Sequence, residues 1–308
     1  MSASSTDRSP WKKETGLYTA LVLGLTLAAN LSGRMELIGI SQAAPLIAVL
    51  LLLLLRPGRK DTLRRTGITR FGKPRWYIVV LLAGLPVAAG FAAAWAVGYV
   101  SLPAAQELGG GMTVPAYIQL VTLNLFKPNL FIVMTLLFAF GEEIGWRGYL
   151  QPKLTEMLGV RKAILITAAV WAVFHYPFYL NGYNDDGMPL ITIALFTAMI
   201  FPLSIVMGWV RYASGSIWPA VLIHTVINHS RYWLEVLFYH KQSGWTYIAG
   251  ESGAVTLLIW CLAALFIWRA LPGRERNNAS FPPQGNRDSA CGKKRSIRDQ
   301  TARCRSRR

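Results

Sequence analysis

From Tyr77 to Val100 the chain reads YIVVLLAGLPVAAGFAAAWAVGYV, without an Asp, Glu, Lys or Arg. About 20 residues of apolar helix cross the hydrocarbon core of a bilayer, so this run predicts a membrane span. It must be helical, because lipid offers no partner to the N–H and C=O groups of an open strand. Outward from it, further apolar runs lie near 16–33, 38–55, 128–147, 163–180, 188–210, 216–239 and 254–271. The fold class these runs predict is all-α: a polytopic membrane protein with about eight transmembrane helices and an intramembrane polar cavity.

Composition supports that solvent. Of the 308 residues 53% are hydrophobic and 15% charged, with a mean hydropathy of +0.35, too apolar for a water-facing surface. The net charge of +17 would suggest nucleic acid in a soluble protein. Here the basic residues cluster between and beyond the apolar runs, which points to anionic lipid headgroups and not to nucleic acid. Cys261, Cys291 and Cys304 make neither a disulfide framework nor a CxxC pair. The first 14 residues lack an apolar stretch followed by a small-residue cleavage site, so no removable signal peptide is expected.

Basic residues also orient the chain. Arg56, Arg59, Lys60, Arg64, Arg65, Arg70, Lys73 and Arg75 follow the second run and place that loop in the cytoplasm. Alternation then puts Lys12 and Lys13 inside, the Lys/Arg-free stretch 101–119 outside, Lys153, Arg161 and Lys162 inside, and 181–187 outside; Arg34 and Lys241 break the pattern. The expectation is a multi-pass protein of the plasma (inner) membrane with both termini cytoplasmic. It divides into an N-terminus at 1–15, a helical domain at 16–271 with a motif-bearing core near 130–230, and a disordered basic tail at 272–308 that adheres to anionic lipid. Nothing in the residues sets an oligomeric state.

Ionisable side chains within spans are costly and mark sites or water-filled cavities. The fourth run ends in Gly141-Glu142-Glu143-Ile144-Gly145-Trp146-Arg147, the fifth carries Trp171 and His175, and the seventh carries His224, Asn228, His229 and Arg231. At about 100° per residue Glu143 and Arg147 share a face, about 40° apart, and are natural ion-pair partners. Glu142 is left without a local cation, as a general base requires. His224 and Asn228, four residues apart, face one way as hydrogen-bond donors. At about 1.5 Å per residue Glu142, His175, His224 and Asn228 fall roughly 10–18 Å from the cytoplasmic boundary, close enough to meet in one cavity. His229 and His240 read as structural.

Glu-Glu-x-x-x-Arg at 142–147, aromatic-x-x-x-His at 171–175 and His-x-x-x-Asn at 224–228, in that order, resemble the CAAX-protease and bacteriocin-processing (CPBP, or Abi) family, which includes the Ras-converting CAAX endopeptidases. The resemblance implies an intramembrane endopeptidase acting on a membrane-associated peptide or protein substrate: CAAX-like, leader or bacteriocin-type. It implies that Glu142 and His175 activate water, that His224 and Asn228 form an oxyanion hole, and that Glu143, Arg147 and Trp171 support the site. Trp171 departs from the family's usual Phe at that place. The expectation is hydrolysis without a cofactor. Zinc held by His175, His224 and Glu142 is the alternative, set against the lack of HExxH and the weakness of Asn as a zinc ligand. Two other functions stay open: a non-catalytic membrane immunity or regulatory scaffold, and a proton-coupled transporter.

Overall fold

In the computed structural model the described residues are 9–55, 59–183 and 188–272. Most of the tail and the first eight residues, on which the terminal assignments fall, lie outside them, as do 56–58 of the basic loop and 184–187.

The chain is built of helices. It opens with α1 (Ser9–Leu31), α2 (Met35–Ser41), α3 (Ala44–Leu55) and α4 (Arg59–Thr66). A 3₁₀ turn at Pro74–Tyr77 then leads into α5 (Ile78–Leu82) and α6 (Leu85–Ala96). Next come α7 (Val114–Phe126), α8 (Leu130–Glu143), a π-helical stretch at Ile144–Leu150 and α9 (Gln151–Leu158). The last four are α10 (Val160–Leu180), α11 (Pro189–Ser214), α12 (Trp218–Leu237) and α13 (Ala254–Ala270). The strands described are two two-residue pieces, β1 (Val100–Ser101) and β2 (His240–Lys241), paired antiparallel. Beside them the His240 ring donates to Glu107 at 2.8 Å. That bond, with one from the Ala104 N–H, holds the exposed Glu107 carboxyl below the usual carboxylate range.

Local chemistry sets the boundaries. Asn129 caps α8 by accepting from the Ile132 N–H at 3.0 Å, and Thr113 caps α7 through the Ala116 N–H at 3.3 Å. Gly159 (φ 82°) separates α9 from α10, and Gly215 (φ 69°) ends α11 in the left-handed conformation. Large apolar side chains point outward: Leu81 and Phe126 are each 80% exposed and Phe266 78%. Apolar exposure on long apolar helices fits lipid as solvent.

The all-α membrane architecture is therefore as expected, with differences in detail. By length and composition three described helices can cross a membrane, Pro74–Ala96, Val160–Leu180 and Pro189–Ser214. Two bent pairs, Met35–Ser41 with Ala44–Leu55 (66°) and Val114–Phe126 with Leu130–Leu158 (40°), raise the number to five; this measure does not reach about eight. Stretch 101–119, read as an outer loop, contains the start of α7, whose polar Gln119, Thr122 and Asn124 weaken the apolar signal. The fourth run does not stop at 147 but continues to Leu158, because its polar residues are satisfied inside the protein.

Close helix approach positions the π-helical stretch. A Cβ on Gly145 would meet the Tyr18 hydroxyl of α1 and lie 2.5 Å from Pro45 Cβ of α3, whereas one on Gly24 would meet nothing within 4 Å. Gly145→Ala is therefore expected to cost about 1–3 kcal/mol by overpacking, and Gly24→Ala to be neutral or slightly stabilising. Thermal melting of both variants in one detergent checks this; equal melting temperatures would refute the close packing.

Candidate active site

Glu142 and Glu143 stand at the junction of α8 with the π-helical stretch, and both are buried, at 6% and 0% exposure. The wheel at about 100° per residue does not hold beyond Glu143, since Ile144–Leu150 winds more widely. The expected ion pair forms all the same: Arg147 Nη1 donates to Glu143 Oε1 at 2.9 Å. Arg147 is fully buried, and its other contacts fix it in place. Nη2 donates to Ser204 of α11 at 3.1 Å, and the guanidinium lies 4.1 Å above the Trp171 ring. Its backbone carbonyl accepts from Arg211 Nε at 2.9 Å, and Arg211 reaches on to the Arg65 carbonyl at 2.8 Å. One buried pair thereby ties α8 to α10, α11 and α4.

Glu142 has a different set of partners. Its Oε2 accepts from Trp171 Nε1 at 2.8 Å and from Trp146 Nε1 at 3.3 Å. The expectation that Glu142 lacks the Arg147 ion pair is met, and indole donors take the place of a cation. Trp171 departs from the usual Phe of its motif, and the indole N–H that Phe lacks gives it a polar contact.

The histidines are oriented through one ring nitrogen each. His175 Nδ1 lies 3.0 Å from the Trp171 carbonyl. A carbonyl only accepts, so Nδ1 carries the proton and Nε2 of the neutral ring is an acceptor. His224 Nδ1 lies 3.1 Å from Glu143 Oε1, so it too is the protonated nitrogen. Asn228 is half-buried and makes no hydrogen bond among the described residues. Glu142, His175, His224 and Asn228 all line one cavity of about 60 Å³, measured as space open to the centres of water molecules. That is several times what one water needs, roughly 10–15 Å³. Aromatic and aliphatic side chains, among them Phe174, Phe178, Phe196 and Met199, form most of the rest of its wall. His229 turns elsewhere, with Nε2 on the Leu125 carbonyl at 3.0 Å.

Among the described residues no group of three His, Cys, Asp or Glu side chains is placed to hold a metal ion. Glu142 Oε2 is occupied by two indole N–H groups.

The sequence reading missed three polar lining residues. Gln42 sits at the bend between α2 and α3, Tyr183 follows α10, and Glu251 precedes α13. Glu251 takes a hydrogen bond from the Tyr179 hydroxyl at 3.1 Å and lies 3.5 Å from Arg231, which also pairs with Glu235 at 3.1 Å. Its signal was available: Glu251 is the one acidic residue between Glu235 and Glu275.

Residues 124–230 match the family described as type II CAAX prenyl endopeptidase, Rce1-like. The chain is also 32% identical over 108 residues to a CAAX prenyl protease 2 of Methanococcus maripaludis. That match covers 33% of this chain and 39% of the archaeal protein. The likeness to the CAAX-protease family expected from the three motifs is borne out over this segment, which contains all of them.

Removing one member of the buried pair leaves the other uncompensated. Arg147→Met is expected to cost about 3–5 kcal/mol, and adding Glu143→Gln to restore a large part of it. Denaturation of the single and double variants in detergent measures both, and an Arg147→Met protein as stable as wild type would refute the role given to the pair.

Proposed function

We propose that this protein is an intramembrane endopeptidase that hydrolyses a peptide bond of a membrane-associated, prenylated CAAX-like substrate. The observation that carries the reading is the convergence of Glu142, His175, His224 and Asn228, from three separate helices, on one cavity with room for water. The similarity of residues 124–230 to CAAX prenyl endopeptidases supports the substrate class, as do the many aromatic and aliphatic side chains of the wall.

In the proposed reaction Glu142 is the general base. With His175 it holds a water, takes the water's proton as the oxygen attacks the peptide carbonyl, and passes that proton to the leaving nitrogen. His175 Nε2 accepts a hydrogen bond from the water, because its Nδ1–H is committed to the Trp171 carbonyl. Asn228 and His224 donate to the developing oxyanion. His224 gives its Nδ1–H to Glu143, so donation from Nε2 requires the doubly protonated ring, for which Glu143 is the countercharge. Glu143 and Arg147 thus act on the site as well as on the fold. The mechanism uses no metal, and its proton transfers run through this chain's own side chains.

The test compares peptide termini in host membranes carrying wild type, Glu142→Gln or Asn228→Ala at matched expression. Termini dependent on Glu142 are expected to vanish, a loss of about 10²–10⁴ in rate, and Asn228→Ala to lose about 10²–10³. Unchanged termini with folded Glu142→Gln would favour the scaffold reading. Chelators are expected to leave the rate unchanged; a loss restored by zinc would overturn the metal-free mechanism.

A further inference from the structure

Trp171 meets the site at three points. Its Nε1–H donates to Glu142 Oε2 at 2.8 Å, its ring lies 4.1 Å beneath the Arg147 guanidinium, and its carbonyl accepts from His175 Nδ1 at 3.0 Å. It is 2% exposed and held in a packed wall, so the indole cannot swing away without opening space. A buried indole N–H requires a partner, and a carboxylate makes that bond charge-assisted.

The two oxygens of Glu142 are consequently unlike. Oε2 takes both indole donors, whereas Oε1 takes no hydrogen bond among the described residues and belongs to a side chain that lines the cavity. Glu143 shows the contrasting pattern: its Oε1 takes Arg147 and His224, and its Oε2 is sealed from solvent without a partner. A carboxylate is planar, so fixing one oxygen from one side sets the direction of the other.

We propose that Trp171 is a positioning residue for hydrolysis: its indole N–H fixes Glu142 Oε2 and thereby aims Oε1 at the water that attacks. The proposal rests on the protease reading above. In the step it serves, a water O–H bond breaks, its oxygen bonds the peptide carbonyl carbon, its proton passes to Glu142 Oε1, and the carbonyl electron pair moves onto oxygen. When the C–N bond breaks, the same oxygen returns the proton to the leaving nitrogen. Because the indole orients the base and touches no substrate, its loss should act on kcat and leave KM nearly unchanged.

Two variants remove the donor. Trp171→Phe retains an aromatic ring beneath Arg147, and 3-benzothienylalanine in place of Trp171 retains the indole shape with sulfur where the N–H was. The substrate is the bond found by terminus profiling, made as an internally quenched peptide and assayed with full-length protein in lipid vesicles. Both variants are expected to lose at least about tenfold in kcat, with KM and melting temperature close to wild type and a larger solvent deuterium isotope effect on kcat. Full kcat in the benzothienyl protein would overturn the proposal, as would a kcat that falls only together with the melting temperature. If profiling yields no Glu142-dependent bond, the protease reading itself has failed, a result separate from either variant's behaviour.

Discussion

The fully buried ion pair between Glu143 and Arg147 is the constraint on which the rest of the site depends. Two charges out of water are tolerated only with close geometry and further hydrogen bonds. Here those come from Ser204, from His224 and from the face of Trp171, so satisfying the pair draws α10, α11 and α12 toward the end of α8. The same contacts set the ring orientation of His224. The same atoms thus hold the helices together and orient a histidine that lines the cavity.

Next to this pair, Glu142 differs from Glu143 by one position in sequence and by everything in environment. Glu143 is walled in by a guanidinium and an imidazole, while Glu142 is held by two indoles and borders the cavity. Adjacent carboxylates are thereby given opposite surroundings, one sealed within the protein and one bordering a cavity.

The parts of the fold legible in the sequence were those written in apolar runs and charge. The third, fifth and sixth runs, 77–100, 163–180 and 188–210, correspond to spans that qualify on their own. The pairing of Glu143 with Arg147 followed from spacing, and the placement of Glu142, His175, His224 and Asn228 around one cavity followed from depth. What failed to show were features that depend on tertiary partners. The π winding of Ile144–Leu150 has no periodicity of its own, α7 hides behind polar residues, and Gln42 and Glu251 reach the cavity only because chain breaks bring them there. The donor role of Trp171 lay between these cases: the residue was conspicuous as an aromatic, but only the fold shows which atom its N–H meets.

The wide winding of Ile144–Leu150 also bears on how the chain tolerates changes in length. A π turn accommodates one more residue than the α turn it replaces. Deleting one residue there would let that turn relax to ordinary winding and leave the helix beyond it close to its present place. Inserting one more would instead rotate everything beyond it by about 100° and push it on by about 1.5 Å. Lys153, which pairs with Glu14 of α1, and Gln151, which donates to the Gly208 carbonyl of α11, would then both leave their partners. In descendants of this sequence 144–150 should therefore tolerate the loss of one residue better than the gain of one, and insertions should collect in the connections between helices.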